Sequence, residues 1–165
     1  MNPGIKNIGF FNSNMNPSNF TLLDLQSQLK RSDSANPQIF DPVRKKWIME
    51  SPEEMVRQCL ILWLNQHQSI PFSRMAVEKQ IQVFSLTKRF DLVIYGKSAL
   101  PYILIECKSP QMSIHQKMFD QAAVYNMKLQ APYLGICNGI EFKMCQIDFE
   151  QKIYHFIYDL PQYPF

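Results

Sequence analysis

The stretch RFDLVIYGKSALPYILIECKSP, at residues 89–110, constrains the fold more than any other part of the chain. It contains two apolar runs joined by a short polar turn, which is typical of neighbouring strands in a sheet. Three charged residues interrupt these runs: Asp91, Glu106 and Lys108. Because residues two apart in a strand project from the same face, Glu106 and Lys108 are predicted to lie side by side, and strand pairing would bring Asp91 next to them. Two acids and a lysine on one patch of sheet are costly unless a function uses them.

The segments around this strand pair predict an α/β domain with a mixed sheet. Residues 51–68 have the pattern of a helix, with Ser51 as the N-cap and Pro52 at the first helical position. Residues 75–83 alternate as in a strand, and FSLTK at residues 84–88 is expected to turn the chain into the strand pair. A second helix and three more strands are predicted further along, at residues 113–130, 131–137, 141–149 and 152–160.

The first predicted helix begins with two acids, Glu53 and Glu54, and the sequence pattern predicts a different role for each. Glu54 stands three residues after Ser51, so a capping box accounts for it. Glu53 falls on the stripe with Val56 and Leu60, the face expected to pack on the sheet. Two interpretations of Glu53 stay open: an acid exposed at the helix start, where the helix dipole favours it, or an acid directed into a functional site.

The second predicted helix carries another capping pattern, formed by Ser113 and Gln116. Gln121 lies beside the apolar stripe of this helix, either as a buried, hydrogen-bonded amide or as a functional group. The stripe itself is predicted from residues at helical spacing, which are Ile114, Met118, Ala122, Tyr125 and Leu129.

The N-terminal residues predict little structure of their own. Residues 1–38 are expected to form an arm with one short helix at residues 21–31, capped by Thr21, and residues 39–165 the folded domain. A turn-rich connector precedes the first long helix and ends in the basic triplet Arg44-Lys45-Lys46. This triplet is read either as a solvated face or as a phosphate-contacting patch.

Composition excludes several classes of protein. The four cysteines lack Cys-x-x-Cys spacing and lie in apolar contexts, which predicts reduced core thiols. The sequence shows neither a secretory signal pattern nor an apolar stretch of membrane-spanning length, so we expect a cytoplasmic protein with no membrane partner. Glycine-rich nucleotide motifs and a serine-hydrolase motif are missing, and no organic cofactor is expected. The net charge of +3 permits a polyanionic partner.

The two acids and the lysine suit metal-assisted phosphodiester hydrolysis. Asp91 and Glu106 offer the hard oxygen ligands that Mg²⁺ or Mn²⁺ prefers, and the backbone carbonyl of Cys107 would add another. Lys108 would hold or deprotonate the attacking water and neutralise charge on the phosphate. The alternative is a surface cluster of charges, but Glu106 and Lys108 directly continue the apolar run YILI.

Asp91, followed after fourteen residues by Glu106-Cys107-Lys108, resembles the D-x(n)-E-x-K signature of the PD-(D/E)XK nucleases. The similarity runs from about Ile39 to Leu160 and implies a restriction-endonuclease-like fold, a mixed sheet flanked by helices, with DNA as the substrate. Phe90 replaces the proline of the family name, a position without chemistry of its own. Four blocks in order resemble the N-terminal nuclease domain of type I restriction enzyme motor subunits, above all its small stand-alone bacterial form: SPEEMVRQ, VEKQI, KRFDLVIYGKSALPYILIECKSP and FDQAAVYNMKLQAPYLGICNG.

This resemblance implies catalytic roles for five side chains. Asp91 and Glu106 match the metal-binding acids of the family, and Lys108 matches its catalytic lysine. Glu53, in the pattern E-x-x-x-R, matches the first-helix glutamate that completes the metal site, often through water. Gln121, in D-Q-x-x-x-Y, matches a glutamine that lies at the active site of related nucleases.

Two functions from different classes follow from the sequence. One is a metal-dependent DNA endonuclease, for which a homodimer is one way to supply the two sites needed to cut both strands. The other is a non-cleaving DNA-binding or partner-docking module that retains the nuclease fold. The nuclease is the first hypothesis, and the small size, the mild basicity and the lack of a translocase motor in this sequence motivate the second.

Overall fold

A mixed sheet of seven strands, ordered β1-β9-β8-β7-β6-β5-β4, forms the centre of the molecule and confirms the predicted α/β class. The computed structural model describes residues 6–7, 21–83 and 86–164. A separate hairpin pairs β2 with β3. In chain order the strands are β1 (Lys6–Asn7), β2 (Gln38–Asp41), β3 (Lys46–Met49), β4 (Met75–Val83), β5 (Leu86–Tyr95), β6 (Pro101–Cys107), β7 (Tyr133–Cys137), β8 (Phe142–Asp148) and β9 (Ile153–Ile157).

The predicted three-strand meander is present as β4, β5 and β6, which pair antiparallel. Strands β6 and β7 are parallel, and a parallel neighbour requires a crossover connection. Helix α2 (Gln116–Leu129) supplies that crossover, whereas β7, β8 and β9 continue as antiparallel neighbours. Strand β6 therefore lies at the point where the sheet changes from antiparallel to parallel pairing.

The two faces of the sheet are covered by different helices. Helix α1 (Pro52–His67) packs in one core cluster with Leu92 and Ile105. Helix α2 packs in a second cluster with Val93 and Leu104. Since successive strand residues point to opposite faces, this alternation along β5 and β6 fixes which side chains each helix can reach.

Helix α1 was predicted at residues 51–68 and is found at Pro52–His67. Ser51 is its N-cap, and the Ser51 hydroxyl accepts a hydrogen bond from the Glu54 N–H at 3.1 Å. Strand β4 has the predicted bounds, but β5 begins at Leu86 instead of Arg89. The predicted turn at residues 84–88 is therefore shorter, and its residues 84 and 85 lie outside the described residues.

The prediction for the start of α2 was wrong. The helix begins at Gln116 with His115 as N-cap, and no side chain caps it, so Ser113 does not have the predicted role. Its buried side chains are Phe119, Ala122, Ala123 and Asn126. The predicted stripe lies beside them: Ala122 belongs to both sets, and Met118, Tyr125 and Leu129 are partly buried against the same core cluster. The rings of Tyr154 and Phe156 on β9 pack against Phe119, which the predicted stripe did not include.

The N-terminal residues are more ordered than predicted. Residues Leu22–Gln28 form a 3₁₀ helix without a side-chain cap from Thr21, and Leu22, Leu25 and Leu29 are buried in the core cluster of α1. The connector predicted to be turn-rich contains the β2–β3 hairpin. Residues 1–5 and 8–20 of the predicted arm lie outside the described part of the chain.

All four cysteines are free and buried, as predicted. No helix within residues 21–83 and 86–164 is long and apolar enough to cross a membrane.

Candidate active site

Asp91, Glu106 and Lys108 come together where β5 and β6 end their pairing. The register Leu92↔Ile105 places Asp91 beside Glu106. The Nζ atom of Lys108 lies 3.9 Å from Oε2 of Glu106, and Oδ2 of Asp91 accepts a hydrogen bond from the backbone N–H of Cys107 at 2.8 Å. The strand periodicity thus brings the three chemical groups onto one patch of the sheet.

The carboxylate of Glu106 is held in an unfavourable environment for a negative charge. Its side chain is 13% exposed, and none of the described groups donates a hydrogen bond to Oε1. Burial, and then the charge of Asp91, raise the pKa of Glu106 to about 7, against the opposing effect of Lys108, Lys88 and Arg57. A buried carboxylate oxygen without a partner is uncommon in folded proteins and marks a place where a cation would be stabilised.

Asp91 is fixed in orientation by a buried arginine of α1. Nη2 of Arg57 lies 2.9 Å from Oδ1 of Asp91, and Nη1 of the same guanidinium donates to Oε2 of Glu54. Gln58 donates to the other oxygen of Glu54 at 2.8 Å. Burial is the largest single influence on the Arg57 pKa and lowers it, but the charges of Asp91, Glu54 and weaker neighbours together raise this pKa above its ordinary value, so the guanidinium stays charged.

Of the two interpretations of Glu53, the structure shows the exposed acid at the start of the helix and not the acid directed into a site. Glu53 is exposed, and Glu54 is the acid of α1 that is buried beside the site. Adjacent helical residues point about 100° apart around the helix axis. An error of one residue in the predicted orientation of the helix therefore exchanges the environments of Glu53 and Glu54. The Ser51 cap uses only the backbone of Glu54, while the carboxylate of Glu54 binds Arg57, Gln58 and a residue from the hairpin.

That hairpin residue is Arg44, which sequence reasoning did not place in the site. Its guanidinium reaches Oε1 of Glu54 at 2.8 Å and Oε2 of Glu78 at 2.7 Å, and it also pairs with the fully buried Asp41. Arg44 is thus neither part of a solvated face nor a phosphate patch, although its neighbours Lys45 and Lys46 are exposed. The only local signal was Asp41, whose side chain accepts the backbone N–H groups of Val43 and Arg44 and so shapes the turn.

Glu78 is the second residue that the sequence did not reveal. It lies in the middle of β4 with a φ of 54°, a left-handed conformation that is unfavourable for a residue with a Cβ. The pairing of β4 with β5 includes Val77↔Leu92 and Lys79↔Phe90 but skips Glu78. Glu78 therefore lies across from Asp91 on β5. Backbone strain of this kind concentrates at functional sites.

A pocket of about 170 Å³ opens beside Glu106 and Lys108. Gln121 of α2 lines it and is exposed, so the interpretation as a buried amide does not hold. The neighbouring Asp120 accepts a hydrogen bond from the Tyr154 hydroxyl at 2.7 Å and thereby ties α2 to β9. The remaining lining residues are Lys88, Met118, Ala122, Tyr125 and Ile136.

The donor set at this pocket is small. Within the described ranges, no group of three or more His, Cys, Asp or Glu residues lies close enough together to hold a metal ion without further ligands. Asp91 and Glu106 are two carboxylates, which is the number that Mg²⁺ commonly takes from a protein while it keeps several waters. The donor chemistry and the unpartnered Glu106 oxygen therefore fit a hard divalent cation better than a zinc-type site.

Comparison with known proteins agrees with the geometry. A family model described as the type I restriction enzyme R protein N terminus (HSDR_N) matches residues 52–161. A search of the curated proteins gave no match. The matched segment contains Asp91, Glu106, Lys108 and Gln121, whereas Arg44 lies before it. Since the match spans more than half of the 165 residues, the chain belongs to the type I restriction enzyme R protein N-terminal (HSDR_N) family.

Proposed function

We propose that the protein is a metal-dependent deoxyribonuclease that hydrolyses phosphodiester bonds of DNA. The observation that carries the proposal is the buried, unpartnered Oε1 of Glu106 beside Asp91, with the Lys108 ammonium 3.9 Å from the same carboxylate. The restriction-enzyme family supports a nuclease-related role. A charged cluster without function would not leave a carboxylate buried at such a cost.

Asp91 and Glu106 would hold Mg²⁺ or Mn²⁺, with the Cys107 carbonyl as a further ligand. When bound, such an ion polarises a phosphoryl oxygen and makes the attacking water more acidic. Arg57 and the Cys107 N–H keep the Asp91 carboxylate in one orientation, which reduces the reorganisation needed on ion binding.

Lys108 is the candidate for handling the water and the developing charge. Its side chain is 27% exposed, so the ammonium can reach a phosphate in the pocket while remaining beside Glu106. Gln121 presents an amide from the opposite wall and can orient a substrate oxygen or the water. Glu53 is too exposed for a direct part, and Glu54 takes the place that the family pattern gives to the first-helix glutamate.

A plasmid-nicking assay with Mg²⁺ and with Mn²⁺ tests the proposal. Wild-type protein is expected to nick supercoiled DNA, whereas Asp91→Ala and Lys108→Ala should not. Lys97→Ala is the matched control, since Lys97 is exposed in the turn between β5 and β6. Equal nicking by all four proteins, or none with either metal, would refute the assignment.

One observation favours a second function, a non-cleaving DNA-binding module. Both oxygens of Asp91 are already hydrogen-bonded, to Arg57 and to Cys107, which lowers the need for a cation there. DNA binding that persists in EDTA and survives Glu106→Ala, without cleavage under any metal, would support this alternative. The homodimer and the cytoplasmic location are further parts of the proposal, and sedimentation of the purified protein tests the first of them.

A further inference from the structure

Lys88 lies near the start of β5, two residues before Phe90, whose side chain is buried in the core cluster of α2. Lys88 therefore projects from the face of the sheet that α2 covers. Its Nζ lies 4.6 Å from the centroid of the Tyr125 ring on that helix. The side chain spans from sheet to helix along one wall of the pocket beside Glu106.

The partner of Lys88 leaves its positive charge uncompensated. A carboxylate would cancel the charge, but an aromatic ring attracts the ammonium through its quadrupole and leaves the N–H donors largely available. In the part of the chain that the structure describes, no carboxylate lies within salt-bridge distance of Lys88, although both Lys88 and Lys108 lower the pKa of Glu106. The pocket thus has a second cation that the catalytic pattern does not use.

The lining of the pocket indicates the ligand. Lys88, Lys108 and Gln121 provide cationic and amide donors, Glu106 provides a carboxylate, and the remaining lining residues are apolar or aromatic. A cationic pocket of about 170 Å³ takes an anion of moderate size, and the chemistry of a phosphodiester fits because its negative oxygens accept from all three side chains.

We infer that Lys88 is a DNA-binding residue that contacts a backbone phosphate in the pocket beside Lys108, with the Tyr125 ring keeping its ammonium in place. This inference rests on the proposed function only in taking the same DNA as the ligand. Backbone contacts of this type position the duplex and carry no sequence information.

Fluorescence anisotropy of a short labelled DNA duplex tests the inference, with the full chain in EDTA and salt varied between about 50 and 200 mM. Each phosphate contact contributes about 0.9 to the slope of log K against log salt, so Lys88→Ala should lower the slope by about 0.9 and the affinity about eightfold at about 0.1 M salt. Lys88→Arg should bind like wild type. The control Lys97→Ala removes the same charge outside the pocket and should change neither quantity.

A purely structural role for Lys88 predicts different results. Lys88→Met keeps an unbranched chain that packs on Tyr125 but removes the charge, so it should lose affinity as Lys88→Ala does. Wild-type affinity for Lys88→Met would overturn the inference, and so would equal slopes for Lys88→Ala and Lys97→Ala. Circular dichroism of each variant confirms that the folded protein is measured.

Cleavage is scored separately so that the two proposals can fail independently. A wild-type protein that binds the duplex with the Lys88-dependent slope but never nicks plasmid would refute the nuclease and leave the inference standing. If wild-type protein nicks plasmid but Lys88→Ala binds the duplex as tightly as wild type, the nuclease proposal stands and the inference on Lys88 is refuted. A folded wild-type protein that binds no duplex overturns the inference on Lys88 whatever its nicking activity.

Discussion

Replacing Glu106 by glutamine should stabilise the metal-free protein at alkaline pH. The carboxylate of Glu106 has a pKa of about 7 in the folded protein, compared with an ordinary value of 4.5, so the folded state holds this proton more tightly than the unfolded state. Stability contributed by the protonated form is present below pH 4.5 and is lost as the pH rises through about 7. The difference between the two pKa values corresponds to about 3 kcal/mol in the free energy of unfolding.

Urea unfolding in EDTA, at about pH 4 and again above about pH 8, measures this effect. Glutamine has nearly the shape of the protonated acid and does not titrate, so Glu106→Gln should match wild type at the lower pH and exceed it by roughly 3 kcal/mol at the higher pH. Glu53→Gln is the control, because Glu53 is an exposed acid whose replacement should change stability by less than about 0.5 kcal/mol at either pH.

The reasoning fails if Glu106→Gln and wild type differ by the same amount at both pH values, since burial of a charge would then not be the cause. Mg²⁺ provides an independent check. Ion binding at Asp91 and Glu106 should raise the melting temperature of wild type above pH 8 and leave that of Glu106→Gln nearly unchanged.

The charge network behind Asp91 gives three more predictions. Arg57→Ala should lower the free energy of unfolding by about 3 kcal/mol, because Asp91 loses the guanidinium that pairs with it and Glu54 keeps only Arg44 as a cationic partner; chemical denaturation measures it, and a loss under about 1 kcal/mol contradicts it. Arg44→Ala should cost about 2 kcal/mol or more in the same assay, while the exposed neighbour Lys45 should tolerate alanine within about 0.5 kcal/mol. Glu78→Gly should be more stable than Glu78→Ala by about 1 kcal/mol, since both lose the carboxylate and only glycine accepts the φ of 54° without strain; equal stabilities would show that the backbone relaxes.

The part of the site that strand periodicity governs could be predicted from sequence. Asp91 and Glu106 lie on two adjacent strands, and Lys108 directly follows the second. The two-residue repeat of a strand and one turn were therefore enough to predict that they come together. The positions of Glu53 and Glu54 could not be predicted, because neighbouring residues of a helix point about 100° apart. The apolar stripe of α1 did not define the orientation of the helix to within one residue.

Arg44 and Glu78 could not be predicted for a different reason. Their partners are distant in sequence: Arg44 and Glu78 are separated by 34 residues, as are Arg57 and Asp91. Only tertiary packing brings such groups together, and no local pattern of charge encodes it. The burial of Phe119 on α2 was missed likewise, because its ring packs against aromatic rings of the last strand.

The hairpin that carries Arg44 has a consequence for the design of shorter fragments. A fragment cut to residues 52–161, the bounds of the family match, retains every residue proposed to touch DNA or metal. It would nevertheless remove the three leucines that cover α1, Leu22, Leu25 and Leu29, and the guanidinium that neutralises Glu54 and Glu78. Exposed apolar helix surface and unpaired buried acids both favour unfolding or aggregation. The smallest fragment suited to expression therefore begins at or before residue 21, 31 residues ahead of the first matched position.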